Sequence, residues 1–383
     1  MKSTILIVSI YIAKSFMKII YFFIKLFTKQ QKKITLLSRQ SNDINVDFRL
    51  IKKEIENINL ETNKKSIEGI KVKILCKKIP DNFSGKIKYC FYIVKCMYHI
   101  ATSKVCVIDG YNIAISVLNH KKNLEVVQIW HAMGAIKKFG YQVLDKEEGS
   151  NHKISKLMKM HSNYTCITCT SGETRKIYSK AFNTDLSKVK VLGMPRIDYI
   201  LGKDGEIDEK VKQLLQEYPY LKRKKNILYV PTFRKGKEIN VKSIIDCVDE
   251  KKYNLLLQLH PLDKTSVEDK YKVDSKYSTY ELIKIADYII TDYSAVAFEA
   301  ATLDKPVFFY IYDLNEYEDT RGLNINLNDE MKNCTKADIS EIIKIINENL
   351  YDYSELKMFK EKYVETADTN NTKRIVDYIL SNM

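Results

Sequence analysis

Two doubly wound parallel α/β units facing a cleft, preceded by an amphipathic helix, are the fold class this sequence predicts. Three observations lead to it. Short apolar runs alternate with longer amphipathic stretches, the pattern of strands joined by crossover helices. The alternation occurs twice, on either side of the Gly-, Pro- and charge-bearing stretch "GMPRIDYILGKDGEIDEK". And 383 residues are too many for one ordinary core.

The first element is "MKSTILIVSIYIAKSFMKIIYFFIKLFTKQQKK", residues 1–33. On a helix turning about 100° per residue, Lys14, Lys18 and Lys25 fall on nearly one line and Lys29 stays near it. Ile, Phe and Tyr cover the other sides. No small-residue cleavage site marks a signal peptide. The lysines interrupt the uncharged run of about 20 residues that a membrane span wants. The pattern predicts a helix lying in the membrane interface, its lysines reaching anionic headgroups. A true span and a helix packed on its own domain or a partner are the alternatives.

The first α/β unit, residues 34–203, offers strands in "KITLLS", "KVKILCK", "KVCVIDG", "LEVVQIW", "YTCITCTS" and "KVKVLGM", with helices such as 47–57 and 83–101 between them. The second, residues 204–383, offers "NILYVPTFR", "YNLLLQLHP", "ADYIITDYSA" and "KPVFFYIYD", then a helical tail with the loop "TADTNNT".

Composition narrows the function. Hydrophobic residues make up 45%, which indicates a packed globular protein. The formal net charge of +15 suits nucleic acid, an anionic membrane face or a phosphate-rich substrate. No known nucleic-acid module appears. Most of the eight Cys lie in apolar runs. Cys166 and Cys169 have CxxC spacing, but no second pair stands at zinc spacing. Buried thiols, a reducing compartment and no metal site are expected. No Walker loop and no GxGxxG occurs, which argues against a P-loop ATPase and a dinucleotide oxidoreductase.

Open parallel sheets bind ligands outside the carboxyl ends of their strands. Those positions hold Arg39, Gln40 and Ser41 after "ITLLS", His131 after "VVQIW", and Arg234 after "NILYVPTF". His260 follows "NLLLQL", Asp292, Tyr293 and Ser294 follow "DYIIT", and Arg321 closes the polar stretch after "VFFYIYD". Singly, each has a bland explanation: a hydrogen-bonded His, a surface Arg, an N-cap Asp. Together they suit phosphoryl transfer. Arg binds phosphate oxygens bidentately, a helix start at Ser294 offers N–H groups, and a His takes a proton from a hydroxyl. Lys137 and Lys138 either steer an anionic ligand or form a solvated basic turn.

The stretches "VQIWHAMGAIKKFGY", "VLGMPRIDYIL", "ILYVPTFR", "LQLHP" and "ITDYSAVAFEAATLDKPVFFYIYDLNEYEDTRG" resemble the CDP-glycerol glycerophosphotransferases, which build teichoic acids and related polyol-phosphate polymers. The opening "LLSRQSNDINVDF" resembles the start of that family's catalytic region, and the likeness covers about Ile34 to Arg374. The resemblance implies a GT-B architecture and transfer of glycerol phosphate or ribitol phosphate from a CDP-alcohol to a membrane-linked acceptor, with release of CMP. It implies no cofactor, His131 and His260 as catalytic residues, and Arg234, Thr291, Asp292, Tyr293, Ser294 and Arg321 at the donor. Arg39, Gln40, Ser41, Lys137 and Lys138 are then acceptor-side candidates. The acceptor is a lipid-linked anionic or glycan molecule, the enzyme is peripheral on the cytoplasmic membrane face, and homo-oligomer formation stays open. Departures occur: Ala132 follows His131 where many relatives have Gly, Ala295 replaces a second Ser, and "LNINLNDEMKN" lacks a Pro-Gly-Pro. A nucleotide-sugar glycosyltransferase is the alternative on the same fold.

Overall fold

The computed structural model describes residues 2–61 and 69–383. Met1, the first residue of the expected membrane helix, and residues 62–68 of the first α/β unit lie outside the described residues. Strands β1 (Lys33–Ser38), β2 (Lys71–Cys76), β3 (Val105–Ile108), β4 (Glu125–Gln128), β5 (Cys166–Cys169) and β6 (Val189–Val191) form one sheet. Strands β7 (Lys225–Val230), β8 (Tyr253–Leu257), β9 (Tyr288–Thr291), β10 (Val307–Tyr310) and β11 (Thr335–Lys336) form the other. Every pairing is parallel. All ten strands read from the sequence form. The eleventh, β11, has two residues, too few to carry a period.

The strand orders are β2-β1-β3-β4-β5-β6 and β11-β10-β9-β7-β8. In each sheet the second strand lies on one side of the first and the third on the other. The order therefore reverses between β1 and β3, and again between β7 and β9. At such a reversal the crossover helices leave on opposite faces, and a crevice opens at the carboxyl ends. Strands β3, β5, β9 and β10 are buried along their whole length, as the continuous apolar runs of a sheet covered on both faces require.

Two elements sit where the sequence pattern does not put them. The last helix, Asn371–Ser381, lies in the chain segment assigned to the second unit. Yet Ile375, Val376 and Ile379 join Ile34, Leu36 and Val105 in the core of the first. Asp198 holds its start, accepting N–H bonds from Asn371 (2.9 Å) and Thr372 (2.8 Å). An amphipathic period states that a helix docks, not on which sheet.

The second is the N-terminal helix α1 (Lys2–Phe27), which packs on α3 (Phe83–Ala101), the α-helix after α2 (Val46–Glu61). The lysine line is a real face, but it turns inward. Lys14 Nζ donates to the Leu157 carbonyl and Lys25 Nζ to the Asn119 carbonyl (2.6 Å). Between them Tyr21 is buried, with its hydroxyl 2.8 Å from His120 Nδ1. Ile12, Phe16, Ile19 and Phe23 are exposed instead. The expectation that these lysines reach headgroups is corrected for Lys14 and Lys25; Lys18 remains exposed. Backbone carbonyls on the protein body solvate the ammonium groups of Lys14 and Lys25, Met17, Ile20 and Ile24 pack beside Tyr21, and the remaining apolar side faces out. Ile5–Phe27, 23 residues, is long and apolar enough to cross a membrane by length and composition.

Candidate active site

The site begins with the end of β4. Trp130 has φ 55°, a left-handed conformation that a residue with a Cβ rarely takes. Three contacts hold it there. The Gln128 side chain accepts the Trp130 N–H (2.9 Å) and donates to the Gly110 carbonyl (3.2 Å). The indole stacks on Phe139 at 4.9 Å and meets the edge of Phe182 at 5.1 Å. The Trp is thus an anchor, and the bend in its backbone delivers the next residue, His131, to the mouth of the sheet.

His131 is exposed on the cleft side. Its Nδ1 lies 3.0 Å from the Asp109 carbonyl, at the β1/β3 switch point, and 3.3 Å from Gln40 Nε2. A carbonyl only accepts, so Nδ1 carries the hydrogen and Nε2 keeps its lone pair. Protein crowding on the other sides pulls the imidazole pKa down to about 4, and the positive charges of Arg196, Arg39 and Lys137 add to that. The ring is therefore neutral near pH 7 and able to accept a proton. Arg39 lies over the Tyr111 ring at 5.2 Å. Ser41 Oγ accepts the Asp43 N–H (2.9 Å).

The second sheet answers differently. Asp292 accepts N–H bonds from Thr232 (2.9 and 3.0 Å) and Tyr293 (2.6 Å). Arg234 Nη2 donates to Asp292 (2.9 Å), its Nε to Asp313 (2.7 Å) and its Nη1 to the Thr232 carbonyl (2.7 Å). Thr291 Oγ1 donates to the Val230 carbonyl (2.6 Å), and the Tyr293 hydroxyl to Asp313 (3.1 Å). All of these but half-buried Asp313 are buried, and they satisfy one another, closing the β7/β9 switch point from within. Ser294 is half-buried, and its Oγ accepts the Val296 N–H at 3.4 Å. The helix there runs Val296–Thr302, starting two residues later than its pattern suggests. His260, exposed after β8, accepts the Leu262 N–H on Nδ1 (3.2 Å) and lies 5.2 Å from the Phe233 ring. Partial burial lowers its pKa, followed by the charge of Lys137.

One loop joins the halves. Lys138 N–H donates to the Gly322 carbonyl (2.9 Å) and Asn324 N–H to the Ile136 carbonyl (2.7 Å). Arg321 donates to the Lys138 carbonyl (3.0 Å) and to Glu148 (3.0 Å). Pinned between these bonds, Lys137 reaches across until its Nζ is 3.5 Å from Thr232 Oγ1. Burial pulls its pKa down to about 8, aided by Arg321 and Arg234 and opposed by Asp292 and Glu148. Its positive charge adds to the lowering of the pKa of both His131 and His260. Beside it a cavity of about 300 Å³ is lined by Glu147 and Glu148 from one half and Arg234, Lys235, Asp313 and Tyr317 from the other. Among the described residues no His, Cys, Asp and Glu side chains gather into a group that could hold a metal ion.

Behind Trp130, buried His161 has its Nδ1 3.1 Å from the Tyr164 hydroxyl. Burial first, then the charge of Arg39, pulls its pKa down to about 3. A folded pKa below the unfolded value near 6.5 gives full stability above pH 6.5, lost as pH falls and the unfolded chain takes up the proton. The loss is about 1.4 kcal/mol for each pH unit spent between the two values. His131 and His99 add to the same trend. His161→Phe should lose less of its urea midpoint than the wild type between pH 7 and pH 4.5; an equal loss in both would remove His161 from acid unfolding.

Sequence reasoning passed over Asp109, Asp313 and Glu148. Asp313 ends the quoted run "VFFYIYD" and so obeys the strand-end rule that found the others. Asp109 ends "VCVID" in the same way. Glu148, in a loop remote from any strand end, gave no signal.

The family described as CDP-Glycerol:Poly(glycerophosphate) glycerophosphotransferase matches residues 19–381. A teichoic acid ribitol-phosphate primase from Bacillus spizizenii is 28% identical over 366 residues, covering 92% of each chain. A teichoic acid glycerol-phosphate primase from Bacillus subtilis is 31% identical over 301 residues, 75% of this chain and 76% of its own. Among solved structures, the wall teichoic acid polymerase TagF superposes with a TM-score of 0.68 at 19% identity, covering 92% of this chain and 89% of its own. A UDP-GlcNAc 2-epimerase from Neisseria meningitidis has a similar fold, with a TM-score of 0.58 at 14% identity, covering 91% of this chain and 99% of its own.

Proposed function

This chain belongs to the CDP-Glycerol:Poly(glycerophosphate) glycerophosphotransferase family, and from that premise we propose how its cleft performs the transfer. The protein is a transferase that moves polyol phosphate from a CDP-alcohol in teichoic acid synthesis. An acceptor hydroxyl attacks the phosphorus that bears the polyol. His131 Nε2 takes the hydroxyl proton as the new P–O bond forms. The bond from that phosphorus to the bridging oxygen breaks, and CMP leaves with the oxygen. Lys137, His260 and Ser294 face the charge that develops on the bridging oxygen as CMP departs. Arg234, committed to Asp292 and Asp313, fixes the two loops that carry Thr232 and Ser294. Arg39 and Gln40 line the acceptor side.

The single observation that carries this reading is the orientation of His131. Its Nδ1 is spent on the Asp109 carbonyl, and its free Nε2 belongs to an exposed ring at the strand end, neutral near pH 7. The test is CMP release from CDP-glycerol, CDP-ribitol and, as the rival class, release of nucleotide from UDP-sugars. Release from a CDP-polyol that needs an acceptor supports the reading; transfer from a UDP-sugar alone would replace it with a glycosyltransferase.

The acceptor is membrane-linked, and α1 keeps the cleft at the bilayer. Its outward residues Ile12, Phe16, Ile19 and Phe23 enter the lipid, and Phe83, Ile87 and Phe91 on neighbouring α3 are exposed as well. Ile12→Glu with Phe16→Glu should release the enzyme from anionic vesicles without changing its melting temperature. Activity on a lipid-embedded acceptor should fall, while activity on a soluble one stays. Undiminished vesicle binding would locate the membrane contact elsewhere. Deleting α1 is a poorer test, because Tyr21 and the packed Met17, Ile20 and Ile24 leave an apolar patch bare.

A further inference from the structure

Arg196, in the "GMPRID" stretch that joins the sheets, takes no part in the steps above, yet it is buried with its guanidinium engaged on three sides. Its backbone N–H donates to Asp47 Oδ1 (2.8 Å), and its Nε lies 3.3 and 3.2 Å from the two Asp47 oxygens. Nη2 also donates to Asp47 Oδ2. Nη1 donates to the backbone carbonyl of His131 (2.9 Å). The same nitrogen lies 3.8 Å from Glu299 Oε1. Asp47 stands in the first turn of α2, which belongs to the first unit. Glu299 stands in the helix that follows Ser294, which belongs to the second.

Two bonds fix where the His131 imidazole points. One ties Nδ1 to the Asp109 carbonyl; the other ties the residue's own carbonyl to Arg196. The second matters because the preceding residue, Trp130, is in a strained left-handed conformation. A strained peptide relaxes unless its surroundings over-determine it. Gln128 and the aromatic pocket hold the Trp130 side, and Arg196 holds the His131 side. An ammonium could not replace the fork, because a point charge cannot reach a carboxylate and a carbonyl on different elements in fixed directions.

We propose that Arg196 is a positioning residue: through the His131 carbonyl it sets the direction of the imidazole, with Asp47 as its anchor and Glu299 as its link to the sheet that carries the donor. This rests on the reading of His131 as the base. The groups facing His131 are Arg196, Arg39, Lys137 and Gln40, with the Asp109 carbonyl; those facing Arg196 are Asp47, Glu299 and Tyr280.

The test uses the full-length enzyme with Arg196→Lys and Glu299→Gln, read by melting temperature, CDP-glycerol calorimetry, CMP release and imidazole ¹⁵N shifts, with His131→Ala assigning the resonance. In the wild type His131 should show one tautomer, with the hydrogen on Nδ1. In Arg196→Lys both tautomers should appear, and turnover should fall by about 10- to 100-fold, the effect of a misplaced reacting group. Donor affinity should stay within about two-fold, separating a loss in kcat from one in binding. Glu299→Gln, which leaves Asp47 paired and the fold intact, should give a smaller fall of the same kind. Wild-type turnover in Arg196→Lys would overturn the proposal. So would lost turnover with a single unchanged tautomer and a parallel fall in melting temperature and donor affinity. If the wild type releases no CMP from any CDP-polyol, the functional reading fails, and the tautomer comparison alone decides the role of Arg196.

Discussion

His131→Ala lowers turnover by about 100-fold or more, the range in which a positioned general base acts, and leaves donor affinity little changed. The expectation follows from bonding rather than from sequence position. The imidazole has one nitrogen occupied by a carbonyl that cannot be its substrate, and one nitrogen open to the cleft. Among the described residues of the first unit, His131 is the histidine that is exposed at a strand end, and its ring is neutral near pH 7. The pH dependence has a definite sign. Activity needs unprotonated Nε2 and is lost as pH falls through the folded pKa, which lies near 4. The wild type should therefore keep its turnover down to about pH 5, below the point at which a free imidazole would already be protonated. Steady-state CMP release and calorimetry measure both quantities. Near-normal turnover in the variant removes His131 from the chemistry.

Asp292→Ala should destabilise the protein by about 3–5 kcal/mol, the usual effect of removing one partner from a buried ion pair. Asp292 and Arg234 are both buried. Without the carboxylate the Thr232 and Tyr293 amides lose their acceptor, and Arg234 keeps only Asp313 and one carbonyl. The loops after β7 and β9 then separate, and donor affinity falls as a consequence. Asp292→Asn keeps the volume but turns an amide hydrogen toward the guanidinium, so it should be destabilised nearly as much. The urea midpoint measures this. An unchanged midpoint with lost donor binding would mean that Asp292 touches the donor directly, and that the buried network contributes little.

The strands and their carboxyl-end residues were legible because burial on both faces demands continuous apolar runs, and because any polar group that ends such a run stands at the ligand-binding edge. That logic leads to His131, His260 and Arg234. It could not show that Arg234 is saturated, since that depends on Asp313 lying beside Asp292, residues from different strand ends. The lysine line of α1 was legible as a face, but its direction was not. A stripe of lysines fits protein carbonyls as well as it fits headgroups, and only the packing of Tyr21 against His120 decides between them. The return of the last helix to the first sheet depends on Asp198, whose capping of Asn371 and Thr372 spans too much sequence to be read as a local motif.

The most direct measurement is the ³¹P spectrum of a reaction containing the enzyme, a CDP-polyol and a lipid-linked acceptor. The pyrophosphate resonances should disappear while one phosphodiester on the acceptor and one CMP monoester appear in equal amounts, and with His131→Ala both should form more slowly by about 100-fold or more. Intact CDP-polyol beside a glycosylated acceptor, or CMP formed without a new phosphodiester, would contradict this mechanism.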